Sequence, residues 1–234
     1  MIKAVIFDMY ETLVTMCRSD SYKGANIAAD LGLDEKVFRE VWDASESDRT
    51  VGIRNFEETI RLSMEVNDCF SDELLQDIVG KRSEAQKEYF NHLHPEIIPM
   101  LHELKKRQVK VALISNCYLE ERDIIKQSIL WDYFDVACLS CELGVKKPQK
   151  EIFEICLAKL GLFAEECLYV GDGGSHELDK AKELALKDAG TNSSEVTFVK
   201  EELEKDKQVP SYELEFYNDS AEYEYDVHAG TGEI

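Results

Sequence analysis

The sequence predicts an α/β protein whose core is a doubly wound, Rossmann-like parallel sheet. Three observations support this fold class. The chain opens with a short apolar segment, KAVIF at residues 3–7, which is typical of a buried parallel strand. Between residues 95 and 172, helical patterns alternate with short apolar strands, as βαβ units require. Residues 21–89 lie between these parts and have no strand character, which predicts a helical insertion after the first strand.

Each element follows from the spacing of its apolar residues. The insertion contains four helical patterns separated by short polar breaks: GANIAADLGL, EKVFREVWDA, NFEETIRLSMEV and DELLQDIVGKRSEAQKEYF. The alternating part then reads as helix PEIIPMLHELKKRQ, strand VKVALIS, helix LEERDIIKQSIL, strand DVACLS, helix KEIFEICLAKLG and strand CLYVGD. We therefore assign residues 1–16 and 92–178 to the α/β core and residues 17–91 to the inserted helices.

The last part of the chain, residues 179–234, departs from this alternation. The helical pattern DKAKELALKDAG leads to VTFVKEEL and then to YELEFY and EYEYDVH, in which apolar and aromatic residues alternate with acids. Period-two alternation on both sides of a short polar turn predicts an antiparallel hairpin. We also expect VTFVKEEL to complete the core sheet as its edge strand, because only Gly190 and a few polar residues separate it from the helix.

Composition and charge narrow the function. The chain has 234 residues, 44% of them hydrophobic, and a formal net charge of -21. This charge disfavours binding to nucleic acid or to an anionic membrane, because both are polyanions. No apolar run is long enough to span a membrane and no signal sequence is apparent, so we expect a cytoplasmic protein. Seven cysteines, with an isolated CxxC at Cys138 and Cys141, fit buried reduced thiols better than disulfides or a metal site.

Polar side chains stand at the ends of four predicted strands or in the loops that follow them. In chain order they are Asp8, Ser115, Asn116, Lys147, Asp172 and Glu177. Ligands of open α/β sheets bind at the carboxyl ends of the strands, where these residues would meet. A carboxylate nucleophile, hydroxyl and amide groups for anionic oxygens, a cation and metal-binding acids are the parts that phosphoryl transfer needs.

The order and spacing of IFDMYETL, LISN, KKP and VGDGGSHEL resemble those of the haloacid dehalogenase (HAD) superfamily of hydrolases. The resemblance covers residues 1 to about 178. It implies that Asp8 is the nucleophile, that Ser115 and Asn116 contact substrate oxygens, and that Lys147 balances charge. The function it implies is a phosphomonoesterase for a small metabolite, with an aspartyl-phosphate intermediate.

The same resemblance implies a cofactor and a cap. The cofactor is Mg²⁺, held near Asp8, the main-chain carbonyl of Tyr10, Asp172 and Glu177. The inserted helices, residues 17–91, correspond to the family's helical cap, which closes over the site and selects the substrate.

Two residues depart from the pattern of HAD phosphatases. Tyr10 stands where those enzymes have an aspartate that protonates the leaving oxygen and later activates water, and Glu11 stands where glycine is usual. A tyrosine with a pKa near 10 is a poor general base at neutral pH, although Tyr10 remains a candidate catalytic residue. Either another group, such as Glu11, moves the proton, or phosphatase turnover is slow.

Two alternative functions remain open. Tyrosine also occurs at this position in true haloacid dehalogenases, whose aspartate attacks carbon without a metal. At the fourth motif those enzymes carry serine and asparagine, where this chain has Gly171, Asp172 and Gly173, and they have a tyrosine where this chain has Phe153. The acidic fourth motif favours a metal-dependent hydrolase. The other alternative is a metal-binding interaction protein with little turnover.

Residues 179–234, and above all VPSYELEFYNDSAEYEYDVHAGTGEI, look like a PepSY domain. PepSY domains are small helix and hairpin modules of metalloprotease propeptides and bacterial surface proteins. The resemblance implies a protein partner or a role in protease inhibition, usually outside the cytoplasm. The alternative is an acidic hairpin that serves only as structure.

Overall fold

The computed structural model describes residues 2–16, 22–172, 177–204, 211–218, 220–228 and 234. The strands are β1 (Ala4–Phe7), β2 (Lys110–Ser115), β3 (Val136–Leu139), β4 (Cys167–Val170), β5 (Thr197–Glu204), β6 (Ser211–Tyr217) and β7 (Glu222–His228). The helices are α1 (Gly24–Leu31), α2 (Glu35–Ala44), α3 (Glu46–Thr50), α4 (Phe56–Val66), α5 (Asp72–Asn91), α6 (Ile97–Lys106), α7 (Leu119–Gln127), α8 (Ser140–Leu143), α9 (Lys150–Leu160) and α10 (Glu177–Asp188).

The core is a four-stranded parallel sheet in the order β3-β2-β1-β4, with helices on both faces. Alternate residues of β1 point to opposite faces, as the period of a strand requires. Val5 belongs to the apolar cluster that includes Leu101 of α6, whereas Ile6 belongs to the cluster that includes Ile152 of α9. The predicted doubly wound fold is therefore confirmed.

Helices α1 to α5 form what we call the helical insertion, and α1, α2, α4 and α5 pack around an apolar core of their own. The largest buried side chains of this core are Ile27, Phe38, Phe56, Ile60, Met64, Leu75 and Ile78. Local capping signals begin two of the helices: Asn55 and Glu58 form a capping box at α4, and the hydroxyl of Ser71 accepts a hydrogen bond at the start of α5. The sequence predicted four helices here and missed α3, whose five residues are too short to show a helical period.

The helical insertion contacts the core at α3 and α8. The hydroxyl of Ser140 donates a hydrogen bond to the carbonyl of Thr50 at 2.7 Å. Gly52 has a φ of 75°, and a Cβ atom there would lie 2.1 Å from the carbonyl oxygen of Cys141. Only glycine fits both this left-handed conformation and this approach of one backbone to another.

The C-terminal strands form a second sheet, antiparallel, in the order β5-β6-β7. The predicted hairpin is confirmed, because β6 pairs with β7 from Ser211 to Tyr217. The expectation that VTFVKEEL completes the core sheet is wrong, since β5 pairs with β6 instead. The physical reason is an aromatic cluster: the ring of Phe198 lies 5.0 Å from that of Phe216, on the sheet face that α10 covers.

The two cysteines of the CxxC motif are buried and belong to different sides of the sheet. Cys138 packs in the cluster of α9, whereas Cys141 packs in the opposite cluster, with its sulfur 3.7 Å from that of Cys117. This placement agrees with buried, reduced thiols.

Among the helices of the described residues, none combines the length and the apolar character that a bilayer crossing requires. The longest, α5, has 20 residues but carries acids and bases along its whole length.

Candidate active site

The carboxyl ends of three neighbouring strands meet at one edge of the parallel sheet. β1 lies between β2 and β4 and is in register with both over its four residues. Asp8 leaves β1 at the level where Ser115 ends β2 and where the chain leaves β4 toward Asp172. The structure thus brings these three predicted residues to the same edge, which is the ligand-binding edge of open α/β sheets.

Asp8 is buried, with 6% of its surface exposed, and both carboxylate oxygens are engaged. Oδ1 accepts a hydrogen bond from the amide of Met9 at 2.7 Å, and Oδ2 lies 2.6 Å from the ammonium of Lys147. Burial raises the pKa of Asp8, while the charge of Lys147 and the Met9 amide lower it in part. These contacts fix the orientation of the carboxylate at the end of β1.

Either of the adjacent residues Lys146 and Lys147 could balance the charge of Asp8 on sequence grounds, and the structure shows that their side chains make different contacts. The ammonium of Lys147 is fully buried against Asp8, whereas that of Lys146 reaches Ser47 of the helical insertion at 3.2 Å. The side chain of Asn116 holds the loop in place: its Oδ1 accepts from the amide of Lys147 at 2.7 Å, and its Nδ2 donates to the carbonyl of Lys147 at 2.9 Å. Asn116 therefore positions Lys147 through its main chain.

Ser115 ends β2 with its side chain completely buried. Its hydroxyl has no hydrogen-bond partner among the residues that the structure describes. A buried hydroxyl without a partner is unusual and costs about 1 to 3 kcal/mol, unless a ligand completes it. Ser115 is thus suited to bind an anionic oxygen at this edge.

Residues 9–14 form a tight turn directly after the nucleophile candidate. Glu11 adopts a φ of 55°, a left-handed conformation that explains why glycine is usual in the family at this point. The carboxylate of Glu11 accepts hydrogen bonds from the hydroxyl of Thr15 and the amide of Met16, at 3.2 and 2.9 Å. Glu11 therefore stabilises its own turn. Because its carboxylate oxygens already accept these hydrogen bonds, Glu11 is poorly placed to act as a general base.

The ring of Tyr10 packs against the apolar cluster that includes Leu101 of α6 and Ile125 of α7. Burial raises its pKa well above the ordinary value, and the nearby carboxylate of Glu121 raises it further. A phenol whose pKa lies above 10 stays protonated at neutral pH. Tyr10 is therefore a neutral hydrogen-bond donor in this structure and a poor general base.

The residues implied as metal ligands supply oxygen atoms, which suit a hard divalent cation. Burial is the main reason that the pKa of Asp8 is raised, and the charge of Asp172 raises it slightly further. The main-chain carbonyl of Tyr10 accepts no hydrogen bond from any described residue. Glu177 begins α10, but its side chain lies outside the described residues, as does Gly173.

Tyr169 belongs to the site and was missed by the sequence analysis. It lies in β4, and its hydroxyl accepts a hydrogen bond from the ammonium of Lys147 at 3.0 Å. The ring of Phe153 supports it edge-on at 5.4 Å, and a Cβ atom at Gly171 would lie 2.9 Å from the Tyr169 ring. Dehalogenases have a tyrosine at the position of Phe153, whereas here a neighbouring strand supplies the phenol.

The fold and this edge define the class of the protein as a Rossmann-like α/β enzyme with an aspartate and a lysine paired at the ligand-binding edge. The chain belongs to the haloacid dehalogenase-like hydrolase family, whose model matches residues 2–184. The model of the peptidase propeptide and YPEB (PepSY) domain matches residues 177–234, so both models include residues 177–184 of α10.

Curated relatives are similar over parts of the chain. A glyceraldehyde 3-phosphate phosphatase of Methanocaldococcus jannaschii is 33% identical over 94 residues, which are 40% of this chain and 41% of the relative. The Drosophila melanogaster rhythmically expressed gene 2 protein is 30% identical over 116 residues, which are 47% of this chain and 45% of the relative. Each of these matches spans less than half of the relative. A glyceraldehyde 3-phosphate phosphatase of Methanopyrus kandleri is 26% identical over 74% of this chain and 76% of its own.

Solved structures share the fold. A HAD family enzyme from Bacteroides thetaiotaomicron superposes with a TM-score of 0.56 at 18% identity, covering 72% of this chain and 83% of the enzyme. A 2-haloacid dehalogenase from Pseudomonas syringae superposes with a TM-score of 0.55 at 22% identity, covering 75% and 80%. These likenesses show the fold alone, and the function of this chain has to be argued from its site.

Proposed function

We propose that the protein is a Mg²⁺-dependent phosphomonoesterase that acts on a small phosphorylated metabolite. The observation that carries this proposal is the buried Asp8 carboxylate, oriented by the Met9 amide and paired with Lys147 at 2.6 Å. The phosphatase names of several curated relatives support the same substrate class.

In this mechanism Asp8 attacks phosphorus, the bond from phosphorus to the leaving oxygen breaks, and an aspartyl-phosphate forms. The hydroxyl of Ser115 and the ammonium of Lys147 hold the oxygens of the transferred group. Asn116 keeps Lys147 in position through two main-chain hydrogen bonds. Water then attacks the acyl phosphate and restores the carboxylate.

Asp8, Asp172 and the carbonyl of Tyr10 would hold the Mg²⁺ ion, with Glu177 as a further ligand. A bound Mg²⁺ neutralises phosphate charge and orients the phosphoryl group for in-line attack. The B. thetaiotaomicron enzyme has been crystallised with magnesium and inorganic phosphate, which is compatible with such a site in this fold.

The step that needs a base is slow in this proposal. Tyr10 is a protonated phenol, and the carboxylate of Glu11 is held by Thr15 and Met16. A protonated phenol cannot take a proton from water at neutral pH. Hydrolysis of the aspartyl-phosphate is therefore expected to limit turnover.

The direct test is phosphate release from a panel of phosphomonoesters that includes glyceraldehyde 3-phosphate and phosphoserine. The wild type is compared with Asp8→Asn, each with Mg²⁺ and with excess chelator. We expect release that requires both Asp8 and Mg²⁺. Asp135→Asn is the matched control, because Asp135 accepts from the amide of Val111, four residues before the catalytic end of β2. Turnover by pure Asp8→Asn would overturn the mechanism.

A second candidate, a dehalogenase-type hydrolase, has one specific observation in its favour. A phenol does contact the lysine here, because Tyr169 supplies it from β4. Halide release from 2-haloacids that persists in chelator, without phosphate release, would favour this candidate.

We also propose a protein partner for the PepSY-like segment, on the basis of its family match and its acidic sheet.

The third candidate for the whole protein is a metal-binding interaction protein with little turnover. This candidate is favoured if Mg²⁺ and phosphate analogues raise the melting temperature but no compound is turned over.

A further inference from the structure

Two thiols face each other behind the catalytic edge, in the segments that follow two neighbouring strands. Cys117 and Cys141 each lie two residues beyond Ser115 and Leu139, which are register partners at the ends of β2 and β3. Neighbouring strands lie about 4.8 Å apart, within the range of about 4.4 to 6.8 Å that separates the Cα atoms of a disulfide. The two sulfur atoms are 3.7 Å apart. The fold therefore brings these thiols into position for a covalent bond.

The main chains that carry the two thiols are joined to each other and to the helical insertion. The hydroxyl of Ser140 accepts a hydrogen bond from the amide of Cys117 at 3.0 Å and donates to the carbonyl of Thr50 at 2.7 Å. Gly52 lies so close to the carbonyl of Cys141 that a Cβ atom would be 2.1 Å from its oxygen. A change in the distance between the sulfurs therefore acts on the segment after β2 and on the insertion at the same time.

Of the two thiols, Cys141 is the one that a small oxidant reaches first. Cys141 is 7% exposed, whereas Cys117 is 1% exposed. The hydrogen bond that the Cys141 sulfur accepts from the Cys117 thiol lowers the pKa of Cys141 and so favours the reactive thiolate. Cys141 is thus suited to react with the oxidant, and Cys117 is suited to form the disulfide afterwards.

We propose that Cys117 and Cys141 form a redox-sensitive modification site, at which hydrogen peroxide converts the two thiols into a disulfide. The Cys141 thiolate attacks one peroxide oxygen, the O–O bond breaks, and a sulfenic acid and hydroxide form. The Cys117 sulfur then attacks the sulfenic sulfur, so that the S–S bond forms and the S–O bond breaks. The thiol pair loses two electrons and two protons, and the peroxide that accepts them leaves as two molecules of water.

The disulfide acts on the catalytic edge through Asn116. Each sulfur has to move by less than about 1 Å to reach the S–S bond length of about 2.0 Å. Asn116 precedes Cys117 and makes two hydrogen bonds to the main chain of Lys147, so its displacement disturbs the pairing of Lys147 with Asp8. We expect the disulfide to lower kcat/KM about 10- to 100-fold, because misplacement of a catalytic group by about 1 Å has effects of this size. This consequence rests on the proposed phosphomonoesterase function.

The first experiment measures formation of the disulfide, which does not depend on activity. The wild type is treated with hydrogen peroxide, alkylated, digested without reductant and analysed by mass spectrometry. We expect two peptides linked through Cys117 and Cys141, which dithiothreitol separates. Cys117→Ala and Cys141→Ser should each abolish this link. Treated wild type in which both thiols remain free, or are linked only to other cysteines, would overturn the proposal.

The matched control is Cys138→Ser. Cys138 also contacts a second thiol, that of Cys156, but this pair lies on the opposite face of the sheet. The link between Cys117 and Cys141 should therefore form in this variant as it does in the wild type. Its loss in folded Cys138→Ser would contradict a direct reaction between the two proposed thiols.

The second experiment compares phosphate release by the oxidised and reduced forms of each protein. Wild type and Cys138→Ser should lose activity on oxidation and recover it with dithiothreitol. Cys117→Ala and Cys141→Ser should each release phosphate at the same rate before and after treatment. Recovery with dithiothreitol excludes methionine oxidation, which is repaired by dedicated reductases. A loss of activity that persists in both cysteine variants would overturn the effect of the disulfide on the site.

If no compound releases phosphate, the proposed function fails while the modification site is still tested by the peptide link. Binding then reports the effect on the catalytic edge. Calorimetric titration with Mg²⁺ and inorganic phosphate is performed on the reduced and the linked wild type. Weaker binding by the linked form supports the effect on the site, and equal binding by both forms overturns it.

Discussion

Two regions of the molecule gather carboxylates in opposite ways. At the catalytic edge of the parallel sheet, the Asp8 carboxylate is buried and paired with Lys147. On the antiparallel sheet, acids stand directly opposite acids, and Glu215 of β6 faces Glu224 of β7. Carboxylate oxygens of these two residues and of Glu213 lie within 4.8 Å of one another.

This difference shows that a carboxylate affects stability in opposite ways in the two regions. A buried ion pair has lost its hydration, so removal of one partner leaves an uncompensated charge and is strongly destabilising. Exposed like charges repel weakly through water, and salt screens them. Removal of a charge should therefore destabilise the catalytic edge and stabilise the C-terminal sheet.

The largest effect is expected for Lys147→Met. The variant leaves the Asp8 carboxylate buried without its cation, so the free energy of unfolding should fall by about 3 to 5 kcal/mol. Urea denaturation of both proteins measures this difference. Lys146→Met is the matched control, because Lys146 makes a hydrogen bond to Ser47 at 3.2 Å instead of an ion pair. A similar loss in both variants would contradict the contrast.

Glu120 combines features of both regions, because the residue is only partly buried but its two carboxylate oxygens are buried and accept no hydrogen bond from a described residue. Burial raises its pKa from 4.5 to about 7, and the neighbouring Glu121 contributes. The charges of Arg82 and Arg49 lower its pKa only in part. The folded protein then binds a proton that the unfolded chain has lost. Stability should therefore fall as the pH rises from about 4.5 through about 7.

The variant Glu120→Gln should remove this pH dependence and stabilise the protein by about 2 to 3 kcal/mol at pH 8. Denaturation at pH 5 and at pH 8 provides the measurement. Glu40→Gln, on the exposed face of α2, is the control and should change neither value. An unchanged pH profile in Glu120→Gln would show that another group is responsible.

Tyr169→Phe removes one hydrogen-bond acceptor from the buried Lys147 ammonium but leaves Asp8 in place. We expect a loss of about 1 to 2 kcal/mol in stability, because one contact to a charged donor is lost. Turnover should fall about tenfold, since Lys147 is less firmly oriented. Tyr133→Phe, whose hydroxyl contacts His102 outside the site, should keep full activity. Equal activity of the two variants would exclude a role for Tyr169.

The smallest effect has the opposite sign. Glu224→Gln removes one of two carboxylates that oppose each other on β6 and β7, so the antiparallel sheet should become more stable by about 0.2 to 1 kcal/mol. Hydrogen exchange of the β6 and β7 amides reports this local stability. The gain should disappear at 1 M salt, where screening is nearly complete. A loss of protection in low salt would contradict the proposed repulsion.

The core and its ligand-binding edge could be predicted because their signals are local. A short apolar strand followed by a polar residue identifies Asp8 and Ser115 without knowledge of the rest of the chain. The parallel order of the strands brings them together afterwards. The hairpin was predictable for the same reason, since the alternation in YELEFY and EYEYDVH specifies which residues are buried.

Other features depend on contacts that no local pattern contains. The pattern of VTFVKEEL predicts a strand, but it does not predict the neighbouring strand. The pairing with β6, instead of with the parallel sheet, is stabilised by the packing of Phe198 on Phe216. Tyr169 reads as an ordinary residue of an apolar strand, and only the fold brings it to Lys147. Arg49 lies in a helix of five residues, and its burial arises from the approach of the insertion to the core.

The matches of the two family models overlap in helix α10, since the hydrolase model ends at residue 184 and the PepSY model begins at residue 177. Its buried residues Ala181 and Ala185 pack toward the antiparallel sheet. Recombination inside a helix must preserve phase, because one inserted residue turns everything beyond it by about 100°. A gene fusion at this junction must therefore keep Ala181 and Ala185 facing the antiparallel sheet. Insertions of three, four or seven residues come closest to whole helical turns and should be tolerated best.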